Sequence, residues 1–327
     1  MRILFFARKK RRTRTPAHLV KALKGLGHEV RFIRYGFWTQ FTGRKLGDWL
    51  LRRMARRFDP DLVLTWKECI SIRLLAALAG SYKTALYCVD WFEEPPEGLC
   101  QRARVVDLFL ITNSGQLDTY TGAGVRRPVF WPQACDTDEY RAVDSAPEHM
   151  QSDVAFVGAP GNELRRQLLQ MVGREFDLKI WGARWDGLAD DYRGVQGREI
   201  LPQQYGEICA AAKVMLGCDA MRGVEHCFSN RMWLTLGCRG FLLTNYSPGL
   251  ETFFENHRHL VWYHSPEECL GLLRHYLPLE EDRRRIAQAG FDLIRSKHTY
   301  RHRAQQLIDM VNDLPDRRAS GSQSAQP

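Results

Sequence analysis

At 327 residues, 44% hydrophobic and 26% charged, the chain is long enough for two α/β domains that each bury a sheet, and its composition is that of a soluble protein. No apolar stretch approaches a membrane span, and the short apolar run Met1–Ala7 is followed at once by a basic segment, the reverse of the order a secretory signal needs. The formal net charge of +9 favours acidic partners, whether sugar nucleotides, phosphorylated acceptors, nucleic acid or the anionic face of a membrane, without choosing among them.

In chain order, an apolar strand over Ile3–Ala7 runs into the basic segment Arg8-Lys9-Lys10-Arg11-Arg12-Thr13-Arg14, then a helix over Pro16–Leu26 and a strand over Glu29–Ile33. Further strands are expected at Leu62–Thr65, Thr84–Val89 and Leu108–Thr112, with helical patterns between most of them. Such alternation implies one doubly wound parallel sheet with covering helices. From Pro132 to Ser152 the periodicity lapses into polar and turn residues, and a fresh strand-to-turn unit begins at Asp153–Gly158. A linker is expected there, separating domains over 1–145 and 146–315. Strands at Leu178–Trp181, Val214–Gly217, Phe241–Thr244 and Leu260–Trp262 repeat the alternation, and amphipathic helices over Glu280–Ser296 and Tyr300–Leu314 close the second half. The tail, 316–327, has almost no apolar residue to bury and is expected to be disordered.

The nine cysteines are odd in number and contain no close Cys-x-x-Cys pair, a pattern that suits reduced, buried thiols in the cytoplasm. Cys218, His226 and Cys227 lack the paired spacing of structural zinc sites, so no tightly bound metal is expected.

Several positions could carry chemistry. The basic segment fills the first strand-to-helix turn, where like charges repel. Arg8, Lys9, Lys10 and Arg11 could therefore steer an anionic acceptor, polymer or membrane surface, or simply form a solvated charge run. No Gly-x-Gly-x-x-Gly or P-loop pattern follows that strand, which removes support for nicotinamide or ATP-hydrolysing readings. Asp90 stands at a strand's carboxyl end, where a carboxylate could orient or deprotonate an acceptor hydroxyl, or only cap a loop. Ser229 and Asn230 can cap the apolar helix run that Arg231 precedes. Asn245 ends the following buried strand, at the end where open α/β sheets place ligands. The Pro248-Gly249 turn reads as opening another helix, with Gly249 presenting amide donors to an anion and Glu251 accepting hydroxyls or merely complementing the helix dipole.

Separated segments then match one family in order: Val154-Ala155-Phe156-Val157-Gly158 followed by Arg165, Trp181-Gly182 with Trp185, Lys213-Val214-Met215-Leu216, the segment Ser229–Glu251, and Ala287-Gln288-Ala289-Gly290 before His298-Thr299-Tyr300 and Arg303. This stretch resembles the CgeB-like (spore-maturation type) glycosyltransferases. The resemblance implies the α/β GT-B architecture, two Rossmann-like doubly wound domains facing a central cleft, with a nucleoside-diphosphate-sugar as co-substrate. It implies neither a tightly bound cofactor nor a metal in the reaction centre. Arg165, Lys213 and Arg231 would then meet the donor diphosphate as it leaves with added charge, although Arg165 and Arg166 could equally form a solvated helix face. Related retaining enzymes carry two Glu residues separated by seven positions, whereas this chain has Leu234 and, eight residues earlier, His226. Leu234 cannot accept a ribose hydroxyl. Either Glu251 supplies that acceptor, donor binding is altered, or the protein is a non-catalytic nucleotide- or carbohydrate-binding scaffold. A nucleic-acid-binding protein is a further alternative that no recognition motif supports. Peripheral membrane contact stays open.

Overall fold

A computed structural model describes residues 1–8, 15–186, 188, 192, 195–197, 200–219 and 223–315. Lys9, Lys10 and Arg11, and the tail expected over 316–327, lie outside the described residues.

The first unit comprises Met1–Gln133 with the described part of Tyr300–Pro327. It begins β1 (Arg2–Phe6), α1 (Thr15–Gly25), β2 (Glu29–Ile33), α2 (Tyr35–Phe58), β3 (Leu62–Trp66) and α3 (Ile72–Ala79). It continues β4 (Lys83–Cys88), α4 (Glu97–Val105), β5 (Leu108–Ile111), α5 (Leu117–Gly122) and β6 (Pro128–Phe130). The sheet order is β2-β1-β3-β4-β5-β6 with every neighbouring pair parallel. Its strands are continuous buried runs such as Ile3–Phe6 and Leu62–Leu64, which a parallel sheet covered on both faces requires. α2 turns Gly47, Leu51, Ala55 and Phe58 inward, and α3 starts where Ser71 Oγ accepts the Leu74 N–H at 3.1 Å.

The second unit, Ala134–Thr299, contains β7 (Ser152–Val157), α6 (Glu163–Glu175), β8 (Leu178–Trp181), β9 (Val195–Gln196), α7 (Pro202–Ala211) and β10 (Ala212–Leu216). It goes on through α8 (Arg231–Gly237), β11 (Leu242–Asn245), β12 (Val261–Tyr263), α9 (Pro266–Tyr276) and α10 (Glu280–Lys297). The sheet runs β12-β11-β10-β7-β8-β9, again parallel throughout. This is the doubly wound order, with its reversal between β7 and β10. Alternation along β7 sends Val154 and Phe156 into one core with Trp185 and Tyr263, and Ala155 and Val157 into another with Trp181, Trp233 and Phe254. α6 is capped by Asn162, whose Oδ1 accepts the Arg165 N–H at 3.2 Å. α10 places Glu280, Glu281 and Asp282 in its first turn and Arg295 and Lys297 in its last, in accord with its dipole.

The last helix, α11 (Tyr300–Asn312), belongs to the first unit. Tyr300 OH donates to Thr15 Oγ1 at 3.1 Å, Arg303 Nε to the Pro132 carbonyl at 3.1 Å, and Lys83 Nζ to the Val311 carbonyl at 3.1 Å. Burial pulls the Arg303 guanidinium down to about 10, still a cation at neutral pH. The chain passes between the units at 133/134, within the Pro132–Ser152 stretch where the linker is expected, and again at 299/300. A cut by chain position separates α11 from α1, against which its buried face packs.

Candidate functional site

The richest constellation lies in the second unit where β7 and β10 end, at the topological reversal of the sheet. Arg165, in the first turn of α6, is only 8% exposed, so it does not belong to a solvated helix face. Its Nε donates to the Cys218 carbonyl at 2.8 Å and its Nη1 to the Ala159 carbonyl at 3.1 Å. Gly161 makes this possible: it sits at φ +66°, and a Cβ there would run into the Arg165 guanidinium. Arg166, beside it, pairs instead with Glu163 at 2.5 Å.

Arg231, the first residue of α8, approaches the same place. Its guanidinium carbon stands 4.7 Å from the centroid of the Phe156 ring, and that of Arg165 stands 5.6 Å away. Burial first, and the neighbouring Arg231 second, lower the pKa of Arg165. The nearest counter-charge is Asp219, whose Oδ1 is 3.8 Å from Arg231 Nη1, an ion pair too long for a hydrogen bond. Both atoms are buried, and neither has a hydrogen-bond partner among the described residues. Two fixed cations against one carboxylate leave a local surplus of positive charge.

Asp219 was not singled out by the sequence reading, yet it organises the loop. Its Oδ2 accepts the Ser229 N–H at 2.9 Å, and its own N–H donates to Asn245 Oδ1 at 2.6 Å. The signal for it was positional, a carboxylate two residues beyond the Gly217 strand end. Asn245 also donates from Nδ2 to the Tyr246 carbonyl at 3.1 Å, so it braces the loop. The cap expected from Ser229 and Asn230 does not form: Asn230 has helical dihedrals and makes no side-chain cap bond, and the Ser229 N–H goes to Asp219.

Lys213 is not brought to this group. It stands at the amino end of β10, the opposite end of the sheet, with its ammonium 2.8 Å from Asp153 Oδ1. Near the amino end of its parallel strand, Lys213 is not grouped with the residues at the carboxyl ends.

The turn after β11 also differs from expectation. Leu250–Thr252 form a single 3-10 turn rather than an opening helix. The Leu250 N–H donates to the Ser247 carbonyl and the Thr252 N–H to the Gly249 carbonyl, both at 3.1 Å, which leaves little of an anion-binding helix terminus. Leu250 and Phe254 are buried within the Trp233 cluster. Gly249 is required on two grounds: φ is +88°, and a Cβ would strike the His226 ring. His226 Nε2 lies 3.0 Å from Thr252 Oγ1. Glu251 is exposed, and both its carboxylate oxygens are 3.2 Å from Tyr246 OH, whose pKa is raised by desolvation and by that carboxylate. Leu234, where the resemblance expects Glu, packs half-buried against the same cluster.

In the first unit, Asp90 follows β4 and is exposed, with Oδ2 bonded to the Lys67 ammonium. Lys67 follows β3 in a left-handed conformation, φ +50°, and its N–H is tied to the Tyr87 carbonyl at 2.8 Å. Arg8, exposed, follows β1, so these groups all stand at carboxyl ends of neighbouring strands. Sequence reading missed a cavity of about 690 Å³ on this unit, lined by Arg44, Arg52, Arg73 and Arg102 together with Asp48 and Glu68. Among the described residues, no group of three or more His, Cys, Asp or Glu is arranged to hold a metal ion.

Residues 163–309 match the glycosyl transferase-like family. No curated protein matches the chain in sequence. Among solved structures, the fold is similar to that of Anabaena HepE in complex with UDP-glucose, with a TM-score of 0.69 at 10% identity over 96% of this chain and 100% of that one. It is also similar to sucrose-phosphate synthase from Thermosynechococcus elongatus, with a TM-score of 0.70 at 11% identity over 95% and 98% of the two chains. A glycosyltransferase from Rickettsia africae gives 0.68 at 9% identity over 95% and 98%. The chain thus carries a glycosyl transferase-like domain within a two-domain GT-B fold.

Proposed function

We propose that the chain transfers a glycosyl group from a nucleoside-diphosphate donor, bound by the second unit, to an acceptor bound by the first. The observation that carries this reading is the buried Arg165–Arg231 pair with one neighbouring carboxylate, at the reversal of a doubly wound sheet. When the bond from the sugar to the β-phosphate breaks, the diphosphate leaves with added negative charge, and cations fixed in advance stabilise that charge most. A phosphate oxygen would also complete the hydrogen bonding of Arg231 Nη1. Because the arginines supply this charge, we read the reaction as independent of a metal. The complex of HepE with UDP-glucose makes uridine diphosphate sugars the first donors to try. Glu251, beside Tyr246 and the Gly249 turn, is our candidate acceptor of ribose or sugar hydroxyls in place of the missing Glu. Asp90 would orient or deprotonate the acceptor hydroxyl, with Lys67 fixing its carboxylate, and Arg8 with the basic segment would draw an anionic acceptor. Within this family we read the chain as CgeB-like, from the segments between Asp153 and Arg303. Its nine free thiols fit a reducing, cytoplasmic setting.

The test is a panel of nucleoside-diphosphate sugars followed by thermal shift and by release of nucleoside diphosphate. Stabilisation together with turnover supports the reading, and no stabilisation by any nucleotide rejects it. A second reading, a binding scaffold without catalysis, is favoured by Leu234, whose side chain offers no hydrogen bond. Tight nucleotide binding with no turnover across donors and acceptors would select it.

A further inference from the structure

α2 buries one stripe, Gly47, Leu51, Ala55 and Phe58, and leaves a different one in water. Phe37 is 51% exposed, Phe41 73%, Leu46 50% and Trp49 53%. Elsewhere among the described residues, the large apolar side chains this exposed are Leu164 and Leu201. The exposed apolar groups therefore gather on α2, which Gly43, at φ 70° and ψ 165°, breaks into two helical segments, with Phe37 and Phe41 before the break and Leu46 and Trp49 after it. Before the break, Phe37 and Phe41 meet edge to face at 5.4 Å, while Tyr35 and Trp38 pack on the core.

The same helix carries Arg44, Lys45, Arg52, Arg53, Arg56 and Arg57, all exposed. None of these is ion-paired among the described residues. Its one acid, Asp48, accepts from Tyr35 OH at 2.9 Å and from Ser71 Oγ at 2.6 Å rather than pairing with these cations. With 3.6 residues per turn, Lys45, Leu46, Trp49, Arg52, Arg53 and Arg56 fall on one arc opposite the buried stripe. Arg53 lies over the Trp49 ring at 5.7 Å, and Arg34 over Phe37 at 5.2 Å. Aromatic and aliphatic groups thus alternate with cations along a solvent-facing surface.

We propose that this face of α2 docks on an anionic lipid bilayer, with the helical segment after Gly43 lying in the interface plane. A bilayer meets both halves of the pattern at once. Its acyl boundary takes Phe37, Phe41, Leu46 and Trp49, and its phosphates take the arginines. A nucleic acid duplex would satisfy the cations but would leave Leu46 and the paired phenylalanines in water. The inference is independent of the sugar-transfer reading, since it concerns where the protein sits.

The experiment is flotation of the full chain with vesicles of phosphatidylcholine alone and of phosphatidylcholine mixed with phosphatidylglycerol. Binding is expected only to the anionic vesicles, weakening with salt. Charge reversal by Arg53→Glu with Arg56→Glu should weaken it by about tenfold or more, and Phe41→Ser with Trp49→Ser by a similar factor that salt does not mask. These side chains are exposed, so melting curves and nucleotide binding should match wild type and report an intact fold. Failure to float with anionic vesicles overturns the proposal, as does flotation that both double variants retain. Single- or double-stranded DNA or RNA binding in place of vesicles, with the same residue dependence, would assign the face to nucleic acid instead. A dimer that Trp49→Ser dissociates, without vesicle binding, would assign it to a second copy.

Discussion

Arg165 and Arg231 converge on the ring of Phe156 from two different helices, with guanidinium carbons 5.6 and 4.7 Å from its centroid. Each is fixed by its own scaffold. Arg165 is tied to the Cys218 and Ala159 carbonyls, while Tyr205, bonded to Thr235 at 2.9 Å and reaching the Arg231 carbonyl at 3.4 Å, steadies the first turn of α8. Their mutual repulsion is part of what depresses the Arg165 pKa, so an arriving dianion relieves a tension already built into the fold.

Replacing Arg231 by Ala should weaken nucleoside diphosphate binding by about 1.5 to 3 kcal/mol, roughly tenfold to a hundredfold. Calorimetry on the folded variant measures it. Unchanged affinity would remove Arg231 from the donor site.

Asp219 offers the opposite sign. Asp219→Asn keeps an acceptor for the Ser229 N–H but removes the one carboxylate beside the arginines. The free protein should lose about 1 to 3 kcal/mol of stability, because a buried cation loses its counter-charge. Diphosphate affinity should rise, and saturating nucleotide should restore much of the lost melting temperature. A variant that binds diphosphate more weakly than wild type would show that Asp219 is not acting as the counter-ion that the ligand replaces.

Parts of this site were legible in the chain and parts were not. The buried runs Ile3–Phe6 and Val154–Val157 announce parallel strands, because only a sheet covered on both faces makes them continuous. Arg165 and Arg231 were legible as cations beside a strand end. That Lys213 stands apart from them follows from its place near the amino end of β10, the end opposite to that where the arginines gather. β6 and β9 were not legible because three and two residues show no period. The close pairing of Gly161 with Arg165 was hidden for another reason: it is a tertiary contact with no sequence spacing of its own. The exposed stripe of α2 was hidden too, since its apolar residues look like any buried face until the packing partner is known.

Gly161→Ala should reduce donor affinity without removing any ligand-binding group. The new Cβ collides with the Arg165 guanidinium, and the left-handed φ adds a further cost of about 1 kcal/mol. A loss of about tenfold in diphosphate affinity is expected, one pKa-unit equivalent in free energy. Wild-type affinity in a stably folded Gly161→Ala protein would show that Arg165 need not be held in this position.

His259 should make stability depend on pH. Burial, and then Arg258, lower its pKa below the ordinary value of 6.5. Its Nδ1 accepts the Glu255 N–H at 3.0 Å, a role that protonation abolishes. The unfolded chain therefore binds the proton more readily, so this contribution to stability is complete above about pH 6.5 and is lost as pH falls through the folded-state pKa. Denaturant melts across that window should show stability falling toward acid. His259→Gln should flatten part of the slope, and an unchanged slope would exclude His259 as its source.

The sharpest division between enzyme and scaffold runs through Asp90. Its carboxylate is exposed beyond β4 and bonded to the Lys67 ammonium, in a unit separate from the arginine pair. Asp90→Asn keeps the size of the side chain but removes the charge and basicity, so acceptor-dependent turnover should fall by about a hundredfold or more where general-base assistance is needed. Diphosphate affinity should be unchanged. Lys67→Met serves as the companion: by freeing the carboxylate from its partner it should alter the pH profile of transfer while leaving donor affinity alone. If Asp90 only orients the acceptor, Asp90→Asn raises KM with a small effect on kcat, since an amide still accepts a hydrogen bond. Equal turnover by wild type and Asp90→Asn would reject the assignment. No turnover by wild type, across a broad panel and despite tight nucleotide binding, would select the scaffold.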